Sequence, residues 1–213
     1  MKASSTAIAD TLLREKVIAV LRGIRPPRLE RVVAALRQGG VRFIEITVEG
    51  DGATDALRAV RTSAGDDVVL GAGTVTTVPQ AEAAVAAGAT YLISPGFVDD
   101  VSDYANARDI LYIPGVLTAT EVGVALRKGH RILKLFPAGL VGVEYLRALQ
   151  APYPEAKFFA VGNIGTTDVA AFLAGGAAGV AMGSQLAGRG DEPETIAVRA
   201  RAIVTAIREM ARA

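Results

Sequence analysis

The sequence predicts an α/β chain folded as a (β/α)8 TIM barrel, and three observations carry that expectation. Eight short β-branched runs alternate with segments of helical spacing. Glycines stand between several helical segments and the runs that follow. Polar residues recur at the ends of nearly every run. An open, doubly wound sheet would share the alternation, because any series of βα units implies a parallel sheet with right-handed crossovers. The recurring polar ends favour the closed barrel, which gathers a site at one mouth.

The runs are Val17–Leu21, Arg42–Val48, Val68–Gly71, Tyr91–Ser94, Ile110–Pro114, Arg131–Phe136, Lys157–Val161 and Gly179–Met182. Each has the length of a strand buried on both faces. Helical spacing marks Arg28–Gln38, Gly52–Thr62, Pro79–Ala87, Ala119–Lys128 and Thr167–Ala174, and a final helix from about Glu192 to Arg212. Gly39-Gly40, Gly88, Gly129 and Gly175-Gly176 follow helical segments, where a glycine supplies the left-handed cap that turns the chain back into the sheet. No linker or shift of composition divides the 213 residues, so one domain over 1–213 is expected.

Composition narrows the chemistry. Lys+Arg 23 against Asp+Glu 22 leaves a net charge of +1, without the basic excess of a duplex-binding protein, so no nucleic-acid partner is expected. Cysteine is absent, which excludes disulfides, thiolate nucleophiles and zinc–thiolate sites. The single histidine, His130, excludes a multi-histidine metal centre, and neither a metal nor a cofactor is expected. Between Met1 and Gly23 the apolar run Val17–Leu21 follows Asp10 and Glu15, too short and too charged for a signal peptide. No stretch reaches membrane-spanning length, and a cytoplasmic protein without membrane contact is expected.

Strand parity then picks out the reactive groups. In Arg131–Pro137, parity puts Ile132, Lys134 and Phe136 on one face and Leu133 and Leu135 on the other. A lysine in so apolar a strand either snorkels to the rim, pairs with a buried carboxylate, or serves as an amine nucleophile whose pKa desolvation lowers. In Phe43–Glu49 the same parity aligns Phe43, Glu45, Thr47 and Glu49. A mid-strand carboxylate facing the same interior would pair with Lys134 and carry protons; a purely structural ion pair is the alternative. Gly71-Ala72-Gly73-Thr74 ends a strand with a hydroxyl on backbone that a ligand can approach. Gly162-Asn163-Ile164-Gly165 and Gly183-Ser184 follow the last two strands, where barrels often hold a phosphate on backbone N–H groups. Arg22, ending the first strand, is a candidate for a substrate carboxylate or phosphate, or else a rim arginine in a salt bridge.

Over nearly its whole length the chain resembles the 2-keto-3-deoxy-6-phosphogluconate (KDPG) and 4-hydroxy-2-oxoglutarate (KHG) aldolase family. The resemblance rests on Val20-Leu21-Arg22-Gly23, Ile44-Glu45-Ile46-Thr47, Gly71-Ala72-Gly73-Thr74-Val75 and Ser94-Pro95-Gly96-Phe97. It continues through Pro114-Gly115-Val116-Leu117-Thr118, Leu133-Lys134-Leu135-Phe136-Pro137-Ala138 and Gly183-Ser184. It implies a metal-free homotrimeric barrel that cleaves a 2-keto-3-deoxy acid to pyruvate and an aldehyde. By position, Lys134 matches the family's Schiff-base lysine and Glu45 its general acid/base. Thr74 matches the hydroxyl on the pyruvate carboxylate, Pro95 and Phe136 line the pocket, and Gly162 and Ser184 belong to the phosphate loops. The competing reading is a phosphate-binding barrel isomerase or synthase that needs no Schiff base; a relic scaffold would need neither Lys134 nor Glu45.

Two departures stand out. Where the family often reads Glu-x-Thr-x-Arg-Thr, this chain has Glu49 and Gly50 in the last two positions, without the arginine that grips the carboxylate. Phe159-Ala160-Val161-Gly162-Asn163 stands where gluconate-type members read Pro-Thr-Gly-Gly. Both are similar to the phosphogalactonate branch, which implies that Arg22 holds the carboxylate. Glu49 would then orient Arg22 or accept a substrate hydroxyl, and Asn163, which tolerates positive φ, would preserve the loop.

Overall fold

A computed structural model describes residues 4–210. It opens with α1 (Ser5–Glu15), β1 (Val17–Leu21), α2 (Arg28–Gln38), β2 (Phe43–Thr47) and α3 (Ala53–Ala64). Then come β3 (Val69–Gly73), α4 (Val78–Ala86), β4 (Tyr91–Ile93), α5 (Asp99–Asn106), β5 (Leu111–Ile113) and β6 (Gly115–Val116). The rest is α6 (Ala119–Arg127), β7 (Ile132–Leu135), α7 (Ala138–Gln150), β8 (Lys157–Val161), α8 (Val169–Ala174), β9 (Gly179–Met182) and α9 (Pro193–Met210). All strand pairs are parallel, in the order β5-β4-β3-β2-β1-β9-β8-β7-β6.

The expected fifth strand, Ile110–Pro114, is corrected to two pieces. Pro114 has no N–H to give a ladder, so the strand breaks there. Before it β5 pairs with β4, and after it β6 pairs with β7. The Pro114 carbonyl accepts from the Lys134 N–H at 2.9 Å, so the break itself joins the two ends of the sheet into a barrel.

Alternate strand residues fill two cores. Outward residues such as Ile44, Leu70, Leu92, Leu133 and Ala160 pack beneath the helices. Inward residues Ile18, Phe43, Tyr91, Ile93, Ile113, Ile132, Phe159 and Ala181 fill the barrel. Ile8 and Leu12 of α1 join that inner cluster and close the bottom of the barrel. Their i, i+4 spacing and the Ser4 cap, which accepts from the Ala7 N–H at 3.2 Å, are the signals for α1 that a search for βα units passes over. Helices α5 and α7 carry equally little helical spacing in the sequence: α5 begins Asp99-Asp100 and is polar, and α7 is broken at Gly142, whose φ is 80°.

Local chemistry sets the helix ends. Thr118 and Glu121 form a capping box on α6, and Thr77 caps α4 by accepting from the Gln80 N–H. Gly40, Gly88, Gly129 and Gly176 have φ between 90° and 105°, as expected of glycines that follow helices. Gly39 and Gly175, the first of each pair, stay right-handed. The final helix is described to Met210; its expected end at Arg212 lies outside the described residues. Among the described residues no helix is long and apolar enough to cross a membrane.

His130, at the start of the β7 segment, is buried, with Nε2 2.6 Å from the Ser102 hydroxyl and its ring edge-on to Tyr112. Burial lowers its pKa from 6.5 to about 4; Lys128 lowers it further and Asp103 opposes both. The folded state therefore keeps the ring neutral while the unfolded chain protonates it below about 6.5. The stabilising preference is whole above pH 6.5 and is lost as pH falls towards 4. The urea midpoint should fall over that window, and His130→Gln, measured the same way, should flatten that part of the curve.

Candidate active site

One register row builds the centre of the site. Val20 pairs with Glu45, Glu45 with Gly71, and Gly71 with Tyr91; across the barrel Lys134 lies between Gly115 and Phe159. The parity expected from sequence holds: Ile132 joins the inner core, while Leu133 and Leu135 belong to the outer one. Glu45 is 1% exposed and Lys134 6%.

Glycines make the room. A Cβ on Gly73 would sit 1.7 Å from Glu45 Oε1, and one on Gly71 would sit 2.2 Å from the Tyr91 ring. Nothing larger than hydrogen fits at either position while these side chains stay in place. Gly115 is equally confined, against the Pro95 carbonyl, and Gly162 against the Phe136 ring.

Burial drives the two ionisable groups towards each other's range. Desolvation raises the pKa of Glu45, opposed by Lys134 and Arg22 and reinforced by Glu49. Desolvation lowers that of Lys134, opposed by Glu45, with Arg22 lowering it and Glu49 raising it. Acid and amine thus face one cavity, both shifted towards neutrality, the pattern of groups that exchange protons and attack carbonyls. The Lys134 ammonium position lies 5.0 Å from the Phe136 ring centroid, over its face.

The cavity has a volume of about 560 Å³. Arg22, Glu45, Lys134, Phe136, Gly162, Asn163, Gly183 and Ser184 all line it, so the structure brings together eight of the ten residues singled out in the sequence. Thr74 and Pro95 are not in its lining. Thr74 follows β3 with φ 60°, an uncommon conformation for a β-branched residue, and Pro95 is exposed beyond β4. Asn163 takes φ 54°, so the loop does keep its left-handed turn. The Gly139 N–H donates to the Gly162 carbonyl at 2.9 Å and packs α7 against that loop.

At the mouth Arg22 and Glu49 form an ion pair at 2.5 Å. Of the two roles open to Glu49, this geometry matches orientation of Arg22. The sequence analysis missed Gln185 and Arg189, which also line the cavity. Arg189 Nε donates to the Arg22 carbonyl at 3.2 Å, and no carboxylate lies within salt-bridge reach of it among the described residues. It stands in an irregular loop, Gly188-Arg189-Gly190, where no periodicity points inward; its nearness in sequence to Gly183-Ser184 was the available signal.

Comparison with known proteins decides the family, since the model of "Aldolase: KDPG and KHG aldolase" matches residues 8–198. The chain belongs to the KDPG and KHG aldolase family. This membership makes it an aldehyde-lyase. The 2-dehydro-3-deoxy-6-phosphogalactonate aldolase of Escherichia coli strain K12 is 34% identical over 194 residues, 91% of this chain and 95% of the relative. A solved native KDPGal structure superposes with a TM-score of 0.87 at 32% identity, covering 92% of this chain and 96% of that one. The KDPG aldolase of Legionella pneumophila, solved with pyruvate captured as a covalent carbinolamine, matches with a TM-score of 0.81 at 27% identity over 98% of each chain. Within the family architecture, the inward glycines of this chain should be intolerant of side chains. Gly73→Ala should cost about 1–3 kcal/mol in a denaturant melt, the usual price of overpacking. Gly96→Ala, with open space around it, should leave the midpoint nearly unchanged.

Proposed function

We propose that the protein is a class I aldolase that cleaves a 2-keto-3-deoxy sugar acid, 6-phosphorylated (KDPG or its galacto epimer), and/or 4-hydroxy-2-oxoglutarate, to pyruvate and an aldehyde. The observation that carries this reading is the buried Lys134 facing the buried Glu45 across one cavity, with opposed pKa shifts. The pyruvate carbinolamine of the Legionella pneumophila relative supports the same chemistry.

In this mechanism the neutral Lys134 amine adds to the C2 ketone, and the carbinolamine loses water to give a protonated imine. Glu45 carries the protons of both steps. The imine nitrogen draws electrons as the C4 hydroxyl passes its proton to the Glu45 carboxylate, which later returns it to C3. The C3–C4 bond then breaks, C4 leaves as the aldehyde and the bonding pair becomes the enamine. Protonation at C3 and hydrolysis return pyruvate and free Lys134. A dry pocket with fixed charges supplies the remaining stabilisation.

Arg22, held by Glu49, takes the substrate carboxylate, and Thr74 and Pro95 complete the pyruvate end from the rim. The backbone of Gly162, Asn163, Gly183 and Ser184 takes the distal phosphate, with Arg189 as its unpaired cation. Glu49 and Val161 favour the galacto epimer, in keeping with the Escherichia coli relative. A single domain, homotrimeric assembly and a cytoplasmic location belong to this proposal, the trimer through the family resemblance.

Borohydride with pyruvate should fix a reduced adduct on Lys134 alone among the five lysines, mapped by peptide mass. Glu45→Gln should slow turnover on the same substrate by roughly 10²–10⁴. Labelling elsewhere, or none, would return the chain to a barrel without Schiff-base chemistry.

A second measurement reads the distal group. Arg189→Ala should raise KM for a phosphorylated keto-deoxy acid about 10- to 100-fold, the worth of a charge-assisted hydrogen bond. KM for the unphosphorylated acid should stay within a factor of two or so if Arg189 contacts only phosphate.

A further inference from the structure

Among the described residues, three polar atoms facing the barrel interior lack a protein partner although solvent does not reach them: Glu45 Oε2, Thr47 Oγ1 and the Tyr91 hydroxyl. Such atoms bear the full desolvation penalty unless something bonds to them. Their positions are linked by the strand register. Glu45, Gly71 and Tyr91 lie in one row on β2, β3 and β4, and Thr47 pairs with Gly73 one step nearer the mouth.

The ring of Tyr91 lies over Gly71, with both ring edges and the hydroxyl-bearing carbon within 2.5 Å of where a Cβ would be. The ring therefore spans the gap to β2, where Phe43 meets it at 5.7 Å between centroids. From the other side the Glu45 carboxylate leans over Gly73. The negative charge on Glu45 raises the Tyr91 pKa, second to burial, so the two groups feel each other across Gly71. They are not directly hydrogen-bonded.

We infer that Tyr91 is a positioning residue for the aldol chemistry: its hydroxyl and Glu45 Oε2 share one internal water, through which Tyr91 sets the protonation of Glu45. The inference rests on the aldolase reading of Lys134 and Glu45. A buried water needs two to four polar partners, and the Tyr91 hydroxyl, Glu45 Oε2 and the neighbouring Thr47 hydroxyl provide that number. The charged groups that face Glu45 are Lys134 from β7, Arg22 beyond β1 and Glu49 beyond β2. All of these lie towards the cavity or its mouth; Tyr91 lies in the register row of Glu45, one strand beyond Gly71. A phenol that donates through water favours the carboxylate form, so it offsets part of the effect of burial.

Tyr91→Phe keeps the ring over Gly71 and against Phe43 and removes only the oxygen. Borohydride trapping of pyruvate on the unaltered protein comes first; without an adduct on Lys134 the aldolase reading falls, and this inference with it. With trapping established, the acidic limb of the kcat/KM profile should move up by about one pH unit in Tyr91→Phe, the shift a hydrogen bond to a charged group is worth. The thermal midpoint should fall, because Glu45 Oε2 loses its link. A superimposable pH profile overturns the inference, and so does a midpoint that rises because an orphan hydroxyl has gone. In Glu45→Gln the added Tyr91→Phe change should leave the residual profile in place; a shift there would assign the effect to Lys134 and overturn the inference as well.

Discussion

The structure depends on holding one lysine and one glutamate in the buried interior of a barrel without letting them quench each other. Desolvating either group alone costs several kcal/mol. Here the two share a cavity, each opposing part of the other's desolvation, yet form no salt bridge among the described contacts. A tight ion pair would hold the lysine protonated and unreactive. In the proposed mechanism, separation leaves the amine's pKa lowered for attack and the carboxyl's raised so that it can return protons. The barrel supplies the separation, because Lys134 and Glu45 sit on strands that are not neighbours in the sheet.

The apolar side of the design makes that arrangement affordable in stability. Two cores surround each strand, and buried Leu, Ile, Val or Phe side chains contribute roughly 1.5–3 kcal/mol apiece. The inner core alone holds Ile18, Phe43, Ile93, Ile113, Ile132 and Phe159, with Ile8 and Leu12 sealing the base. Against that sum, two buried ionisable groups and a few unpartnered oxygens are a tolerable loss. Of the four buried side-chain polar atoms without a partner among the described residues, Glu45 Oε2, Thr47 Oγ1 and Tyr91 Oη face inward, and the fourth, Arg28 Nε, is on α2.

How much of this could be read in the sequence follows from range. Parity is a property of one strand, so the inward face of Ile132 and Lys134, and of Phe43, Glu45 and Thr47, was legible residue by residue. Helix ends were legible too, because caps such as Thr118-x-x-Glu121 and glycines such as Gly40 act within a turn. Pro114 hid the true pairing of its strand: a sequence shows that the residue cannot donate, but not which neighbour each half then takes. Arg189 was hidden for a similar reason. Its place in the cavity is fixed by a loop hydrogen bond to the Arg22 carbonyl, 167 positions away. Thr74 and Pro95 came from the family pattern and lie at the rim rather than in the cavity lining, a matter of loop geometry that strand parity does not reach.

The glycines carry the last step of the argument. A glycine in a strand is normally a weakness, since it packs nothing and loses more backbone freedom than other residues. Gly71, Gly73 and Gly115 lie on inward-facing positions where a Cβ would collide, respectively, with Tyr91, with Glu45 and with the backbone at Pro95 and Gly96. Their missing side chains are the space in which the site is built. The carboxylate can lean across its own sheet only because Gly73 of the neighbouring strand presents hydrogen there, and the Tyr91 ring lies over Gly71 for the same reason. The reactive groups and the glycines beside them are therefore one structural unit: enlarging either glycine next to Glu45 must move the carboxylate, the phenol or the strand between them.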